Sequence, residues 1–413
     1  MKRETGIYKT TTTAGETIRA FVPHPLPPLN PPLRLQTPLV TRLNAATTAV
    51  QRLALAGALV PSADWFLYGF VRKEAVLSSQ IEGTQATLQD VLTYEATDHS
   101  QRLDDVREVC NYVDALTYAR RELASPKGLP LSVRLMCEAH RRLMQGARGA
   151  GKQPGQLRRS QNWIGGTRPG NARFVPPPPD EVPAAMAALE KWLHHADPLP
   201  PLARAGLAHV QFETIHPFLD GNGRLGRLLI ALLLEQWGLL PAPLLYLSLA
   251  FRRRQQEYYE RLSAVRSAGD WEGWTAFYLE CVREAAEDGV AVAQQLFHLL
   301  TAHRKHLLDQ RGVTIPALQL LELLPLHPVV TLIGAIELLQ TTKPTASKAI
   351  AILEAAGLLR ETTGRKRDRA YAYRQYLDVL THDETPGPRP TPEPARAQSA
   401  SRSKSGSAGR RRP

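Results

Sequence analysis

Residues 216–227 read HPFLDGNGRLGR: an imidazole, a proline stop, a two-glycine loop and two arginines three residues apart. Gly221 and Gly223 allow a tight loop whose amide N–H groups converge on an anion, which side chains at those positions would obstruct. A helix starting near Arg224 adds its N-terminal dipole and free amides at the same spot. Arg224 and Arg227 then share one face of that helix and reach the outer phosphates of a single nucleotide. Asp220, beside the loop, offers a hard oxygen ligand for Mg²⁺, which prefers one or two carboxylates together with phosphate oxygens. His216 is the group of the stretch that titrates near neutral pH, and so the natural general base for a hydroxyl. Singly, each residue has a plainer reading: a core histidine, a helix cap, a solvated arginine face. Jointly they describe in-line attack on phosphorus with neutralisation of the developing charge.

Outward from this loop, apolar residues recur at spacings of three and four. They do so over 39–95 (Leu39, Leu43, Ala46, Val50 and Leu53, then Phe66, Phe70, Val76, Leu77 and Ile81), 102–124 and 132–146. Further helices are expected at 181–196, 202–215, 224–238, 252–267 and 270–300, so the fold class is mainly α. Strand signals concentrate at 162–179, NWIGGTRPGNARFVPPPP, where two short apolar pieces flank a Gly/Pro/Asn turn as in a small β-hairpin. Residues 23–38, PHPLPPLNPPLRLQTP, cannot hold a helix and read as part of an extended N-terminal arm, 1–38. A helical domain over 39–100 and a core over 101–300 follow. Beyond residue 310 two short helices, Leu332 to Leu339 and Thr345 to Ala356, are separated by TTKP, a helix-turn-helix spacing. Gly357 caps the second, and LLRETTGRKRDRAYAY alternates like a two-stranded wing with a basic turn, which completes a winged helix-turn-helix over 310–380. Residues 383–413 have the Pro, Ser, Gly and Arg composition of a disordered basic tail.

The formal charge of +12 is unevenly placed: residues 360–413 hold 13 Lys/Arg and 6 Asp/Glu, so this end alone contributes +7. Cys110, Cys137 and Cys281 are far apart and not paired as CxxC, which argues against a disulfide framework or a zinc site. The apolar run LLIALLL at 228–234 lies between Arg227 and Glu235 and is too short to span a membrane. The basic start lacks a following apolar stretch, so no secretory signal is expected and the cytoplasm is the expected location.

The stretch 216–227 resembles the signature of the Fic family, HPFx(D/N)GNGRxxR, at every specified position. The resemblance implies a helical Fic core whose small β-hairpin is a target-binding flap, and AMP transfer from ATP to a Ser, Thr or Tyr hydroxyl of another protein. Residue by residue, it implies that His216 deprotonates the acceptor and Asp220 holds Mg²⁺. Gly221, Asn222 and Gly223 would bind the inner phosphates and Arg224 and Arg227 the outer ones, with Leu225 and Gly226 completing the nucleotide-binding run. Phe218 would pack into the core. In the flap, Ile164, Gly165 and Gly166 would pair with an extended target segment. Upstream, Ser78 to Gly83 reads SSQIEG, similar to the family's inhibitory motif (S/T)xxxE(G/N), with Ser78, Glu82 and Gly83 in the specified places. This implies a brake in which Glu82 pairs bidentately with Arg227 and denies it to the γ-phosphate.

Where many relatives carry a tyrosine, this chain has Ala250, so nucleotide choice on the adenine side stays open. Some relatives transfer phosphate or other phosphate-linked groups, and some remove AMP. The competing reading is a DNA-binding regulator with the Fic domain as sensor or effector. In it Thr345, Ser347 and Lys348 open the recognition helix, and Arg365, Lys366, Arg367 and Arg369 lie on the wing. The implied partners are ATP and a protein substrate; DNA and a homodimeric second copy stay open, and a membrane is not among them.

Overall fold

The protein is described by a computed structural model covering residues 3–58, 63–100, 102–146, 151–365 and 367–382. The expected basic tail, 383–413, lies outside the described residues. The first element corrects the expectation of an extended arm from the N-terminus. Strands β1 (Gly6–Thr13) and β2 (Glu16–Pro23) form an antiparallel hairpin that pairs Thr13 with Glu16 across Ala14 and Gly15. Both turn residues have positive φ, 51° and 80°, the twist that suits a two-residue hairpin loop. The proline-rich stretch after it stays non-helical up to α1 (Thr37–Ala58). Arg3 fastens this stretch, donating to the carbonyls of Pro31, Pro32 and Gly269 and to both carboxylate oxygens of Glu272 at 2.9 and 2.8 Å.

Helices α2 (Ala63–Ile81), α3 (Leu88–Thr97), α4 (Leu103–Ala124) and α5 (Val133–Leu143) precede the site. α3 starts where Thr87 and Asp90 satisfy each other's backbone amides in a capping box. A long irregular segment leads to α6 (Val182–His194), α7 (Pro201–Ile215) and α8 (Asn222–Gln236). Every residue of α7 from Leu202 onward is buried, so this helix runs through the centre of the molecule rather than along its surface. α9 (Ser248–Arg253) and α10 (Gln255–Ala268) lead into α11 (Trp271–Leu308), whose 38 residues make a rod about 57 Å long at 1.5 Å per residue. α11 packs on α1 and α7 and carries the core on into the C-terminal elements. No helix among the described residues is long and apolar enough to cross a membrane.

Those C-terminal elements are α12 (Ile315–Leu323), β3 (Val329–Thr331), α13 (Leu332–Leu339), α14 (Lys343–Ala355), β4 (Arg360–Glu361), β5 (Ala370–Ala372) and α15 (Arg374–Thr381). β5 lies between β3 and β4, antiparallel to both. Tyr373 Oη bonds His303 Nδ1 of α11 at 2.7 Å, and Tyr376 Oη donates to the carbonyls of Pro325 and Trp65.

Candidate active site

The site forms where α7 stops and α8 starts. His216 caps α7 in the left-handed region, φ 49°, and Pro217 cannot continue the helix. Three buried side chains fix the turn. Arg158 donates from Nε to the His216 carbonyl at 2.9 Å and from Nη2 to the Pro177 carbonyl, while its own N–H bonds the Pro217 carbonyl at 2.9 Å. Asn222 grips Phe218 at both ends: its Oδ1 accepts from the Phe218 N–H at 2.9 Å and its Nδ2 donates to the Phe218 carbonyl at 2.8 Å. His140 lies flat on the Phe218 ring, centroids 3.8 Å apart. The Gly155 N–H donates to His140 Nδ1, so Nε2 carries the proton and donates to the Asp220 carbonyl at 2.9 Å. Burial pushes the His140 pKa down to about 4, in keeping with a neutral ring.

Gly221 follows at φ 75° and opens α8, whose first amides have no intrahelical acceptor. The Asn222 side chain braces the loop; only its main-chain N–H remains to meet an anion, a refinement of the expectation that the residue itself binds phosphate. Asp220 accepts from the Gly221 N–H through Oδ1 at 2.7 Å. Among the described residues no group of three or more His, Cys, Asp or Glu side chains converges on one point. One carboxylate beside an anion cradle suits a cation whose other ligands are phosphate oxygens, as for Mg²⁺.

Both arginines are buried and held. Arg224 donates to Glu108 Oε2 at 3.3 Å and lies against Met144 Sδ. Arg227 donates from Nε to Ser78 Oγ at 2.9 Å, and from Nη2 to the Ser78 carbonyl at 2.9 Å and to Glu82 Oε1 at 2.8 Å. Glu82 thus meets Arg227 through Nη2, a donor it shares with the Ser78 carbonyl. Glu82 follows the last residue of α2, with Gly83 at φ 96° and Gln255 Nε2 holding the Ile81 carbonyl at 3.2 Å. Its carboxylate lies over the cradle: a Cβ on Gly223 would stand 2.1 Å from Glu82 Oε1. Leu225 faces the core, and Ala250, on α9, is buried.

The His216 side chain is 18% exposed and its Nδ1 lies 4.0 Å from Glu213 Oε2. Burial, reinforced by the Arg158 cation, pushes its pKa down to about 3, so the ring is neutral at physiological pH. Burial acts oppositely on Glu213, raising it to about 7.

The flap is slighter than the expected hairpin. Ile164 and Phe174 form one antiparallel bridge, with Gly165 and Gly166 at positive φ and a 3-10 turn at Pro169–Asn171 between them. Instead of a second long strand, the N-terminal hairpin braces it: the Phe21 N–H bonds the Val175 carbonyl, and Glu16 accepts from Arg168 Nη1 and the Gly170 N–H at 2.9 and 2.7 Å. Arg266 covers the Phe174 ring at 3.9 Å. The sequence reading missed this brace, along with Arg158, His140 and Glu108.

An imidazole ends one buried helix and the glycine-floored, arginine-bearing start of the next follows it, an arrangement whose chemistry suits a phosphate, on a mainly helical scaffold. Residues 40–121 match the family model described as Fic/DOC family N-terminal and residues 130–234 that of the Fic/DOC family. Two proteins named protein adenylyltransferase Fic are similar over 212 residues: that of Drosophila erecta at 28% identity, covering 50% of this chain and 39% of its own length, and that of Drosophila virilis at 29%, covering 50% and 40%. The chain thus spans about two fifths of the length of these relatives. In fold it is similar to the crystal structure of a Fic family protein from Desulfovibrio desulfuricans, with a TM-score of 0.53 and 24% identity over 83% of this chain and 98% of that one.

Proposed function

We propose that this chain transfers AMP from ATP to a Ser, Thr or Tyr hydroxyl of a target protein. One observation carries the reading: Asn222 bonds both polar groups of the Phe218 main chain, at 2.9 and 2.8 Å, so the amides opening α8 stay presented beside an imidazole. The names borne by the curated relatives agree with it.

In this reading the amides of 221–223 take the inner phosphates, and Arg224 and Arg227 the outer ones. Asp220 and phosphate oxygens would hold Mg²⁺, which supplies positive charge against the triphosphate. The acceptor oxygen attacks the α-phosphorus, the bond from that phosphorus to the α–β bridging oxygen breaks, and pyrophosphate leaves. The hydroxyl proton passes to the neutral imidazole of His216, whose affinity for it rises beside the negative triphosphate. Ile164, Gly165 and Gly166 offer a main-chain edge to an extended target segment. Glu82 is the brake: it occupies Arg227 and overlies Gly223, so the guanidinium is committed before a γ-phosphate arrives.

The test is incubation of Glu82→Gly protein with Mg²⁺ and cell lysate, in parallel with α-labelled and γ-labelled ATP. Label entering protein only from the α position, with adducts the mass of one AMP, supports the reading. Label entering only from the γ position means phosphate transfer and overturns it.

A further inference from the structure

The order α12, β3, α13, α14, β4, β5, with β5 between the other two strands, is that of a winged helix, and its surface is not used by the nucleotide site. α14 turns Ala346, Ala349, Ile350 and Leu353 inward, packing on α12 and α13. Its opposite face, with Lys343, Ser347, Lys348, Ala351, Glu354 and Ala355, is exposed. Ser347, Ala351 and Ala355 are small, so the helix backbone can approach a groove closely; the two cations lie in the first half of the helix and Glu354 at its far end.

The wing is already shaped. Glu361 Oε1 accepts from the main-chain N–H of Thr363 and of Gly364 at 2.7 and 2.9 Å, and Arg369 Nε donates to the Arg365 carbonyl at 2.9 Å. These bonds spend the Glu361 carboxylate on the loop itself and leave Arg365 and Arg367 exposed beside α14 in the chain order. From 343 to 369 the sequence holds seven Lys or Arg against three Asp or Glu, one of them Glu361. An exposed helix with cations near its start, followed in the chain by a basic wing, has the element order and charge with which a winged helix meets a duplex, helix in the major groove and wing at the phosphates.

We propose that α14 and the wing bind double-stranded DNA, α14 entering the major groove and Arg365 and Arg367 contacting phosphates at its edge. The surface is separate from the loop after His216: among the described residues the C-terminal elements pack mainly on α2, α3 and α11. The proposal therefore stands whether or not the chain transfers AMP.

The experiment is fluorescence anisotropy of the full chain with a labelled mixed-sequence duplex of about three helical turns. With about four phosphate contacts, affinity should fall on the order of 100-fold between about 50 mM and about 200 mM salt. Arg365→Ala/Arg367→Ala should lower the log-log salt slope by about two, and Lys348→Glu should weaken binding at both salt concentrations. Circular dichroism checks that both variants keep the wild-type fold. Arg410→Ala/Arg411→Ala/Arg412→Ala separates out the basic C-terminus and should leave most of the affinity. The proposal is overturned if the duplex does not bind, if only the 410–412 variant loses binding, or if poly-glutamate displaces the duplex at equal charge concentration, which would point to an acidic protein partner instead.

Discussion

Glu82 Oε1 stands 2.8 Å from Arg227 Nη2 and also fills the space a methyl group on residue 223 would need. The carboxylate thus engages the cradle at two points, the guanidinium of α8 and the bare main chain of Gly223. Arg227 is 2% exposed and Glu82 34%, so the pair joins a fixed cation to a carboxylate that water can reach.

The first prediction concerns that contact. Glu82→Gly takes the carboxylate off Arg227 and Gly223 without changing a residue of the cradle, and incorporation of AMP from ATP should rise about tenfold or more, the rate equivalent of about 1.4 kcal/mol. Initial rates of labelling at matched protein concentration measure it.

Gly223 gives a second prediction. In the wild type, Gly223→Ala places a Cβ into Glu82 Oε1 and must push the carboxylate away; in the Glu82→Gly background only the tip of Arg227, with Nη1 3.0 Å from that Cβ, still lies close. The stability cost of Gly223→Ala should therefore shrink in the double variant, with a coupling of about 1 kcal/mol, the scale seen for residues in contact. Urea unfolding of the four proteins of the cycle checks it.

Asn222→Ala should unfold more easily by about 1–3 kcal/mol, because it removes two hydrogen bonds and strands the buried Phe218 N–H, while the Phe218 carbonyl keeps its bond from Asn162 Nδ2. Asn222→Asp keeps the acceptor and loses the donor, so it should fall between the alanine variant and the wild type.

Glu213 ties stability to pH. Its folded pKa of about 7 lies above the value of 4.5 it has when exposed, so its contribution is complete below pH 4.5 and drains away as pH rises through 7. The drain is at most on the order of 3 kcal/mol. Glu213→Gln, which cannot ionise, should flatten the stability profile between pH 5 and about 8 and be favoured over the wild type at the alkaline end. Denaturation midpoints across that range decide it.

The loop after His216 was legible in the sequence because its parts are contiguous: the stop, the glycines and the arginines lie within twelve residues, and helix periodicity fixes their directions. What supports the loop was not legible. Arg158 reaches residues some 58 positions away, and Glu108 meets Arg224 across 116. Neither residue type announces burial. The N-terminal hairpin was missed because β1 presents a run of four threonines, without apolar alternation, and its turn is Ala14-Gly15 rather than an Asn-Gly or Asp-Gly pair. The flap came out shorter than expected because Pro169 starts a 3-10 turn and Pro176 to Pro179 supply no N–H to extend a ladder.

The central claim, that a gripped nucleotide meets an imidazole able to take a hydroxyl proton, is tested most directly by the intact mass of released-brake protein. Glu82→Gly, given Mg²⁺ and ATP, should gain AMP on itself or on an added target, while Glu82→Gly/His216→Ala should gain none and still bind ATP by calorimetry. Equal labelling with and without His216, while the nucleotide binds both proteins alike, would contradict the account.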